Sequence, residues 1–243
     1  MAAVEKVRIL VVGDSGVGKT SLVHLICHEE SISSPAWTIG CTVEVKLYDY
    51  KEGMPGNKTF FLEFYDIGGS ANHEMSRSIF YHSVNGLILV HDLTNKKSFT
   101  NLRRWLREVL NSSNSSSSST KPSDSWFGSD FVEDFDPEQF AGNQIPVLVV
   151  GTKLDQAGSS RISNSTRGMN LVDEIGADVI NINCNDLTQL RPGHVNSKKL
   201  RNFFDKVIER RFHTRDTSQS LFAYQDGPKF YQERGSKRKQ FLI

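Results

Sequence analysis

Residues 7–25 read VRILVVGDSGVGKTSLVHL, and this stretch decides the fold. It begins with Val7 to Val12, an almost unbroken apolar run that is rich in β-branched residues and too short for a helix of its own. Such a run is typical of a buried strand. A loop with three glycines follows, and then a helix predicted over 21–27. Strand, glycine loop and helix in direct succession predict the start of an α/β domain with a parallel sheet.

The loop between this strand and helix matches the pattern G-x-x-x-x-G-K-T. Its glycines allow successive backbone N–H groups to converge on an anion, and the helix N-terminus adds partial positive charge. Lys19 can reach the terminal phosphates of a nucleotide, and the Thr20 hydroxyl can bind Mg²⁺. The flanking strand and helix disfavour a glycine turn with a purely structural role. The predicted phosphate-binding residues are Gly13, Asp14, Ser15, Gly16, Val17, Gly18, Lys19, Thr20 and Ser21.

The composition limits the classes of function that the chain can have. The chain has 243 residues, a net charge of +1 and 37% hydrophobic residues, so bulk charge favours neither nucleic acid nor a membrane surface as a partner. Three scattered cysteines, Cys27, Cys41 and Cys184, match no metal-binding spacing and predict reduced thiols. We see no signal peptide and no apolar run of membrane-spanning length. We therefore expect a cytoplasmic protein.

The remaining framework alternates strands and helices. Strands are predicted at 42–50, 59–66, 86–92, 145–151 and 179–183, and the first two of these form a hairpin around a Gly-Pro-Asn turn. Amphipathic helices are predicted at 96–110 and 197–212, the second capped by Asn196 or Ser197. This order predicts a parallel sheet with helices on both faces and one antiparallel pair at its edge.

Two stretches lie outside this framework. Residues 111–142 form a Ser-rich and then acidic insertion, whose serine-rich half predicts a mobile surface segment. Its acidic half carries aromatic residues that would dock on the domain or on a partner. The polar tail, 213–243, has only weak periodicity.

A second motif points to the base of a nucleotide. The predicted strand 145–151 runs into Thr152, Lys153 and, two residues later, Asp155. A carboxylate at the end of a strand can accept hydrogen bonds from guanine N1–H and its exocyclic amine, which adenine cannot provide. The Lys153 stem can lie against the base. Together with the phosphate loop, which ends at the same sheet edge, these residues indicate guanine specificity.

Five motifs occur in the order typical of one family: GDSGVGKTSL, WTIG, YDIGG, NGLILVHDLTNKKSF and VGTKLD. In these the chain resembles the Rab-related small GTPases of the Ras superfamily. The resemblance implies the P-loop NTPase fold of a small-GTPase (G) domain over residues 1–212, with a six-stranded, mostly parallel sheet and five helices. It also implies GTP or GDP with Mg²⁺ as cofactors.

The same resemblance implies roles for residues outside the phosphate loop. Thr38 follows Thr20 by 18 residues, which is the family's spacing for the switch I threonine that closes on Mg²⁺ and the γ-phosphate. Asp66 corresponds to the aspartate beside the ion, so that Thr20, Thr38 and Asp66 form the implied metal site. Gly69 corresponds to the switch II glycine whose N–H senses the γ-phosphate. The two loops would order with GTP and relax after hydrolysis.

Several positions depart from the family pattern. Ser70 stands where the family has the glutamine that orients the attacking water, so we assign no certain catalytic residue and expect slow intrinsic hydrolysis. Thr152 replaces an asparagine, and no aromatic residue occurs near Ser31 to stack on guanine. Cys184 and Asn185 begin the segment that replaces the family's last base-contacting loop. Binding should survive these changes, but with faster nucleotide exchange.

Two functions remain open at this point. The first is a guanine-nucleotide-dependent switch that presents its two loops to effector or regulator proteins in signalling or membrane traffic. An aromatic and aliphatic cluster near those loops fits a partner surface or core packing: Trp37, Phe64, Ile67, Phe80 and Tyr81. The second is a pseudoGTPase scaffold, stabilised by nucleotide, that binds partners through the insertion, the tail or a dimer face.

Neither hypothesis involves a lipid anchor. The family's prenylated C-terminal cysteines have no counterpart here, because no cysteine follows Cys184. A homodimer through the switch face or a sheet edge is left open by the sequence.

Overall fold

A computed structural model describes residues 4–114, 145–158 and 170–213. Six strands form one sheet in the order β2-β3-β1-β4-β5-β6. They are β1 (Glu5–Val12), β2 (Cys41–Tyr50), β3 (Lys58–Ile67), β4 (Gly86–Asp92), β5 (Val147–Thr152) and β6 (Asp178–Asn181). The helices are α1 (Lys19–His28), α2 (Glu74–Arg77), α3 (Lys96–Thr100), α4 (Leu102–Asn114), α5 (Asn170–Ile175) and α6 (Val195–Phe212).

Strand β1 lies inside the sheet, where Ile9 pairs with Phe64 of β3 on one side and with Gly86 of β4 on the other. All neighbouring strands run parallel except β2, which pairs antiparallel with β3 as the predicted edge hairpin. The six-stranded, mostly parallel α/β architecture is confirmed. Because the parallel strands end at one edge, the loops that follow β1, β3 and β5 come together there.

The two faces of the sheet carry separate apolar cores. One core packs α1 and α6 against the sheet and includes Leu22, Phe203 and Val207. The other packs α4 and α5 and includes Trp105 and Leu171. Both predicted amphipathic stripes are buried in these cores, so the interpretation of periodicity as helix packing is confirmed.

Two predicted helices have different ends in the structure. The helix predicted over 96–110 is broken at Asn101, whose side chain donates a hydrogen bond to Asp14 Oδ2 at 2.7 Å instead of facing solvent. Helix α6 begins at Val195, and its cap is His194, whose Nδ1 accepts from the backbone N–H of Asn196; the caps predicted at Asn196 and Ser197 were wrong.

Other differences concern segments with weak sequence signals. The short helices α2 and α5 were not predicted, since neither is long enough to show periodicity. Helix α4 continues to Asn114 and therefore includes the first residues of the segment predicted as an insertion. The remaining insertion and the tail lie outside the described residues, as do the interpretations placed on them. Within the described ranges, no helix is both long and apolar enough to cross a membrane.

Candidate functional site

A cleft of about 580 Å³ opens at the carboxyl edge of the parallel strands. Its volume lies within the range of small-molecule pockets. Residues from the phosphate loop, from the loops after α1 and β3, and from the ends of β5 and β6 line it. The predicted site residues among them are Ser15, Gly16, Gly18, Lys19, Thr20, Ser21, Thr38, Gly69, Ser70, Thr152, Lys153, Asp155, Cys184 and Asn185.

The other predicted site residues support the cleft without lining it. Val17 is buried in the core, and Asp66 lies beneath the cleft wall. A Cβ at Gly13 would collide with the carbonyl oxygen of Val90, so the loop can pass this close to β4 only with glycine. Gly18 has φ of +93° at the start of α1, a conformation that side chains disfavour. These two glycines fix the turn from strand to helix.

Lys19 lies under the loop. Its Nζ donates to the carbonyl oxygens of Gly13 and Asp14, each at 2.9 Å. The side chain is buried, and this desolvation lowers the pKa of Lys19 to about 8 despite the nearby carboxylates of Asp66 and Asp14. A buried ammonium group aimed into a cleft is a strong anion-binding element.

The three residues of the implied metal site meet in one cluster. Thr20 Oγ1 donates to Asp66 Oδ2 at 2.6 Å, and Thr38 Oγ1 donates to the same oxygen at 3.2 Å. The two hydroxyl oxygens are 3.1 Å apart. Thr38 lies in residues 29–40, the loop between α1 and β2 that is here called switch I. Its hydroxyl contacts Thr20 in the first turn of α1. The sequence could place these residues on one edge, but only the fold brings them into contact.

This cluster fits a hard divalent cation. Asp66 is 1% exposed, and its Oδ1 has no hydrogen-bond partner among the described residues. Burial raises the pKa of Asp66, against the opposing hydrogen bond from Thr20 and the charge of Lys19. Hydroxyl and carboxylate oxygens are the ligands that Mg²⁺ prefers, and a cation or its bound water would satisfy Oδ1. Thr20, Thr38 and Asp66 are therefore chemically suited to hold Mg²⁺.

Residues 68–77, which follow β3 and are here called switch II after the family resemblance, begin in direct contact with the phosphate loop. A Cβ on Gly69 would lie 2.6 Å from the carbonyl oxygen of Gly13, so only glycine permits this approach. The adjacent Gly68 donates its N–H to the carbonyl oxygen of Gly40 at 2.9 Å, which links switch II to the end of switch I. Ser70 follows at the cleft wall.

The far end of the cleft carries the residues predicted to contact a base. Lys153 has φ of +56°, and its Nζ lies 2.7 Å from Asp92 Oδ2. Although burial opposes ionisation of Asp92, the hydrogen bonds from Lys153 and Thr94 hold its pKa below the usual range. The Lys153 ammonium is therefore anchored at one position beside the cleft.

Cys184 also lies at this end. Burial, and then the negative charge of Asp155, raise the pKa of the Cys184 thiol to about 12. The thiol therefore stays protonated and unreactive at neutral pH. Cys184 and Asp155 line the same cleft, so the segments that follow β5 and β6 form one wall.

Thr152 braces the phosphate loop. Its hydroxyl is buried and lies within hydrogen-bond distance of two backbone carbonyl oxygens, those of Val17 and His91. One hydroxyl carries one proton, so both interactions share it. The hydroxyl therefore holds the loop against β4 and has no second donor for a base, unlike an amide side chain.

Sequence reasoning missed part of the cleft wall. The additional lining residues are Ile32, Ser33, Pro35, Ala36, Trp37, Gln156 and Asn183. The first five belong to an irregular, polar stretch with no periodicity to indicate which side chains turn inward. Ile32 and Pro35 place apolar surface in the region where the family's stacking ring is missing.

A buried ion pair beneath switch II was also missed. Arg77 is 1% exposed, and its Nε and Nη2 donate to the two carboxylate oxygens of Glu108 on α4, at 2.9 and 3.0 Å. Its Nη1 donates to the backbone carbonyl of Ser70 at 2.8 Å, and its guanidinium lies 4.3 Å from the ring centre of Trp105. An arginine in a polar segment gives no sequence signal that it is buried.

The predicted partner cluster is largely core. Phe64, Ile67 and Tyr81 are fully buried, and Phe80 packs partly against the core. Trp37 is different, since it is 89% exposed on switch I. Of the two interpretations, core packing holds for all but Trp37.

The sheet, the glycine loop that leads into α1 and the cleft at the carboxyl edge together define a P-loop small-GTPase fold. A family model described as Roc (Ras of Complex, Roc, domain of DAPkinase) matches residues 8–120.

Two of the relatives reported below match about nine tenths of this chain, and a third matches about two thirds. Rab-like protein 3 of Bos taurus is 47% identical over 232 residues, which are 90% of this chain and 91% of that protein. Rab-like protein 3 of Danio rerio is 47% identical over 224 residues, covering 90% and 92%. Small GTPase LIP1 of Arabidopsis thaliana is 40% identical over 178 residues, covering 69% of this chain and 46% of that protein. The chain belongs to the Rab-like small GTPases of the Ras superfamily.

Proposed function

We propose that this protein is a guanine-nucleotide-dependent switch with weakened intrinsic hydrolysis, acting through effector proteins in signalling or membrane traffic. One observation carries the proposal: the phosphate loop, the Thr20–Thr38–Asp66 cluster and Asp155 all converge on a single cleft. A nucleoside di- or triphosphate has the three parts that these groups would recognise, namely its phosphates, its metal ion and its base.

The phosphate end of the proposed complex uses the loop 13–21. Its backbone N–H groups and Lys19 would bind the phosphates, while Thr20 and Thr38 would hold Mg²⁺ beside Asp66. Mg²⁺ would neutralise phosphate charge when bound. Gly69 would donate its N–H to the γ-phosphate, and its close approach to residues 13–15 of the phosphate loop supports this assignment.

The base end uses the ends of β5 and β6. Asp155 would accept hydrogen bonds from guanine, with Lys153, Thr152, Cys184 and Asn185 around it. Since the Thr152 hydroxyl is shared between two backbone carbonyls, it would contribute through the loop instead of through the base. We expect guanine to be bound with fewer contacts than in relatives that carry the family pattern.

Hydrolysis would be slow because Ser70 is too short to orient a water molecule across the distance that a glutamine spans. Its backbone carbonyl is held by Arg77, which fixes the position of this residue at the cleft wall. A large shift of the main chain therefore cannot bring the Ser70 side chain close enough to orient the attacking water.

Effector recognition would use exposed apolar side chains beside the cleft. Trp37 and Ile39 on switch I are 89% and 83% exposed, and Met75 on switch II is 94% exposed. Exposed apolar side chains on two loops that contact a nucleotide fit a partner surface that changes with nucleotide state. The edge strand β2 adds the exposed side chains of Val43, Val45 and Leu47. Of the two homodimer surfaces that the sequence left open, the switch face and a sheet edge, these side chains favour the sheet edge.

We also propose a cytoplasmic location. The cysteines are free thiols, as a reducing compartment maintains them. Fractionation of cells that express the tagged full chain tests this, with a membrane pellet as the contradicting outcome.

Calorimetry on the purified chain with Mg²⁺ tests the nucleotide part of the proposal. We expect GDP and GTP to bind, ADP not to bind, and Lys19→Ala to weaken GDP binding at least tenfold. Lys198→Ala, an exposed lysine on α6, is the matched control and should bind like the parent chain. Asp155→Ala should remove the preference for GDP over ADP. No heat with GDP, or equal binding of ADP by the parent, would contradict the proposal.

Partner capture separates the switch from a scaffold. The full chain loaded with GDP or with a non-hydrolysable GTP analogue is used as bait under the same conditions. We expect partners that depend on the analogue and are lost in Trp37→Ala. The same partners with both nucleotides would favour the pseudoGTPase scaffold.

A further inference from the structure

A second cluster of potential ligands lies away from the cleft, between α1 and the edge strand β2. His24 and His28 are one helical turn apart on α1, so their side chains lie on the same face. Their ring centres are 4.6 Å apart. Glu44 of β2 approaches from the side, with its Oε2 2.8 Å from His28 Nε2. One nitrogen or oxygen from each residue lies within 4.8 Å of the others.

These three side chains form a donor set that transition metals favour. Two imidazoles and one carboxylate bind Zn²⁺ with a fourth position left for water or another ligand. Ligand atoms around one tetrahedral zinc are roughly 3.3 Å apart, so the present spacing must close by ~1.5 Å. The half-exposed His28 side chain has room for that movement. A Mg²⁺ ion is disfavoured here, because it prefers oxygen ligands.

The surroundings support a carboxylate–imidazole site over a thiolate site. Cys27, next to His28 in the sequence, is the neighbouring thiol, and its Sγ is not among the donor atoms that lie within 4.8 Å of one another. The nearby cation, Lys46, is paired with Glu29 Oε1 at 3.1 Å, which offsets its repulsion of a metal ion.

We propose that His24, His28 and Glu44 form a zinc site that fastens the end of α1 to the start of β2. These two elements are the anchors of residues 29–40, the loop that carries Thr38. A metal bridge between the anchors restricts how far the loop moves from the cleft. If the proposed function is correct, which this second step requires, zinc slows the release of nucleotide.

Cobalt spectroscopy tests the site itself. The full chain, saturated with GDP and millimolar Mg²⁺, is titrated with Co²⁺, and zinc is then added as a competitor. We expect one equivalent of Co²⁺ with the visible bands of a four- or five-coordinate ion, displaced by equimolar Zn²⁺. His24→Ala and Glu44→Gln should each weaken binding at least tenfold. His82→Ala, an exposed histidine elsewhere, and Cys27→Ser should bind as the parent does.

Three outcomes would overturn the site: no binding at micromolar metal, unchanged binding in His24→Ala, or loss of binding in Cys27→Ser. Without metal, every variant must unfold at the same temperature midpoint as the parent, which shows that it is folded. Zinc should raise this midpoint in the parent and in the two controls, His82→Ala and Cys27→Ser, but not in His24→Ala or Glu44→Gln. This second measurement does not depend on nucleotide.

The rate of GDP release then tests whether zinc binding at this site affects the nucleotide cleft. A fluorescent GDP should leave the parent chain at least threefold more slowly with zinc than without it, and at equal rates in His24→Ala. Equal rates in a parent that does bind zinc would disprove the restriction of the loop. Failure of GDP binding in the absence of zinc would instead count against the proposed nucleotide function.

Discussion

The indole Nε1 of Trp105 donates a hydrogen bond to Asp14 Oδ1 at 2.9 Å, which ties helix α4 to the phosphate loop. Asn101 donates to the other oxygen of the same carboxylate. The face of the Trp105 ring also contacts Arg77, whose guanidinium holds Ser70 of switch II. One tryptophan therefore connects the loop that would hold phosphate with the loop that would respond to it.

Replacing Trp105 with a smaller ring that lacks the N–H tests this connection. Trp105→Phe should lower the free energy of unfolding by about 2–4 kcal/mol, since a hydrogen bond to a carboxylate is lost and the smaller ring leaves unfilled space in a fully buried site. Urea unfolding measures this change. Trp37→Phe, at an exposed position, should change stability by less than about 0.5 kcal/mol. Equal effects of the two substitutions would show that the hydrogen bond contributes nothing.

The Arg77–Glu108 pair should be strongly coupled. Arg77→Met should destabilise the fold by about 3–5 kcal/mol, because it leaves a largely buried carboxylate without its cation. The double variant Arg77→Met with Glu108→Leu should recover part of that loss. Burial and the hydrogen bond to Glu108 raise the pKa of Tyr81, so its hydroxyl is protonated and donates to that carboxylate. Glu108→Leu takes this acceptor away, which is why the recovery should be only partial. Additive losses in the double variant would argue against the coupling.

Nucleotide binding should take up a proton at Lys19. Its pKa is lowered to about 8 by burial, and the negative phosphates favour the charged form, so binding raises that pKa. Affinity for GDP should therefore fall as the pH rises above about 8. Calorimetry at pH 8.5 in two buffers with different ionisation enthalpies measures the uptake. Lys19→Arg stays charged and should show none; the same uptake in that variant would assign the proton elsewhere.

The effect of Mg²⁺ on the rate of GDP release should require the carboxylate of Asp66. In the parent chain, chelating Mg²⁺ should speed the release of GDP, because Thr20, Thr38 and Asp66 would then no longer hold an ion that neutralises phosphate charge. In Asp66→Asn, release should be fast with or without Mg²⁺. The variant should unfold no earlier than the parent without nucleotide, since a neutral amide costs less to bury than a carboxylate. A variant that still responds to Mg²⁺ would contradict the assignment.

Restoring the family glutamine should accelerate hydrolysis. Ser70→Gln should raise the single-turnover rate by at least about tenfold, equivalent to ~1.4 kcal/mol in the barrier. The substitution leaves the hydrogen bond from Arg77 intact, because the backbone carbonyl of residue 70 accepts it. Ser70→Ala should hydrolyse GTP as slowly as the parent. A parent rate already matching the Gln variant would show that Ser70 is not limiting.

Local sequence was sufficient for most of the framework. Strand β4 falls at residues 86–92 as predicted, and the alternating pattern of β2 and β3 predicted their antiparallel pairing. These predictions succeeded because the hydrophobic period of an element and the turn residues beside it can be read from neighbouring positions in the sequence. The break at Asn101 could not be predicted in this way, and neither could the hydrogen bond from its side chain to Asp14, 87 residues away.

The sequence by itself determined the phosphate loop, the α/β class and the strand ends at which Asp66 and Asp155 lie, because these depend on short motifs and on the parallel sheet they imply. Only the tertiary structure decided which groups touch. Arg77 was buried against Glu108, Thr38 was brought onto Asp66, and His28 was placed beside Glu44. The physical reason is that a side chain's burial and partners are set by elements distant in sequence, and local periodicity carries no information about them.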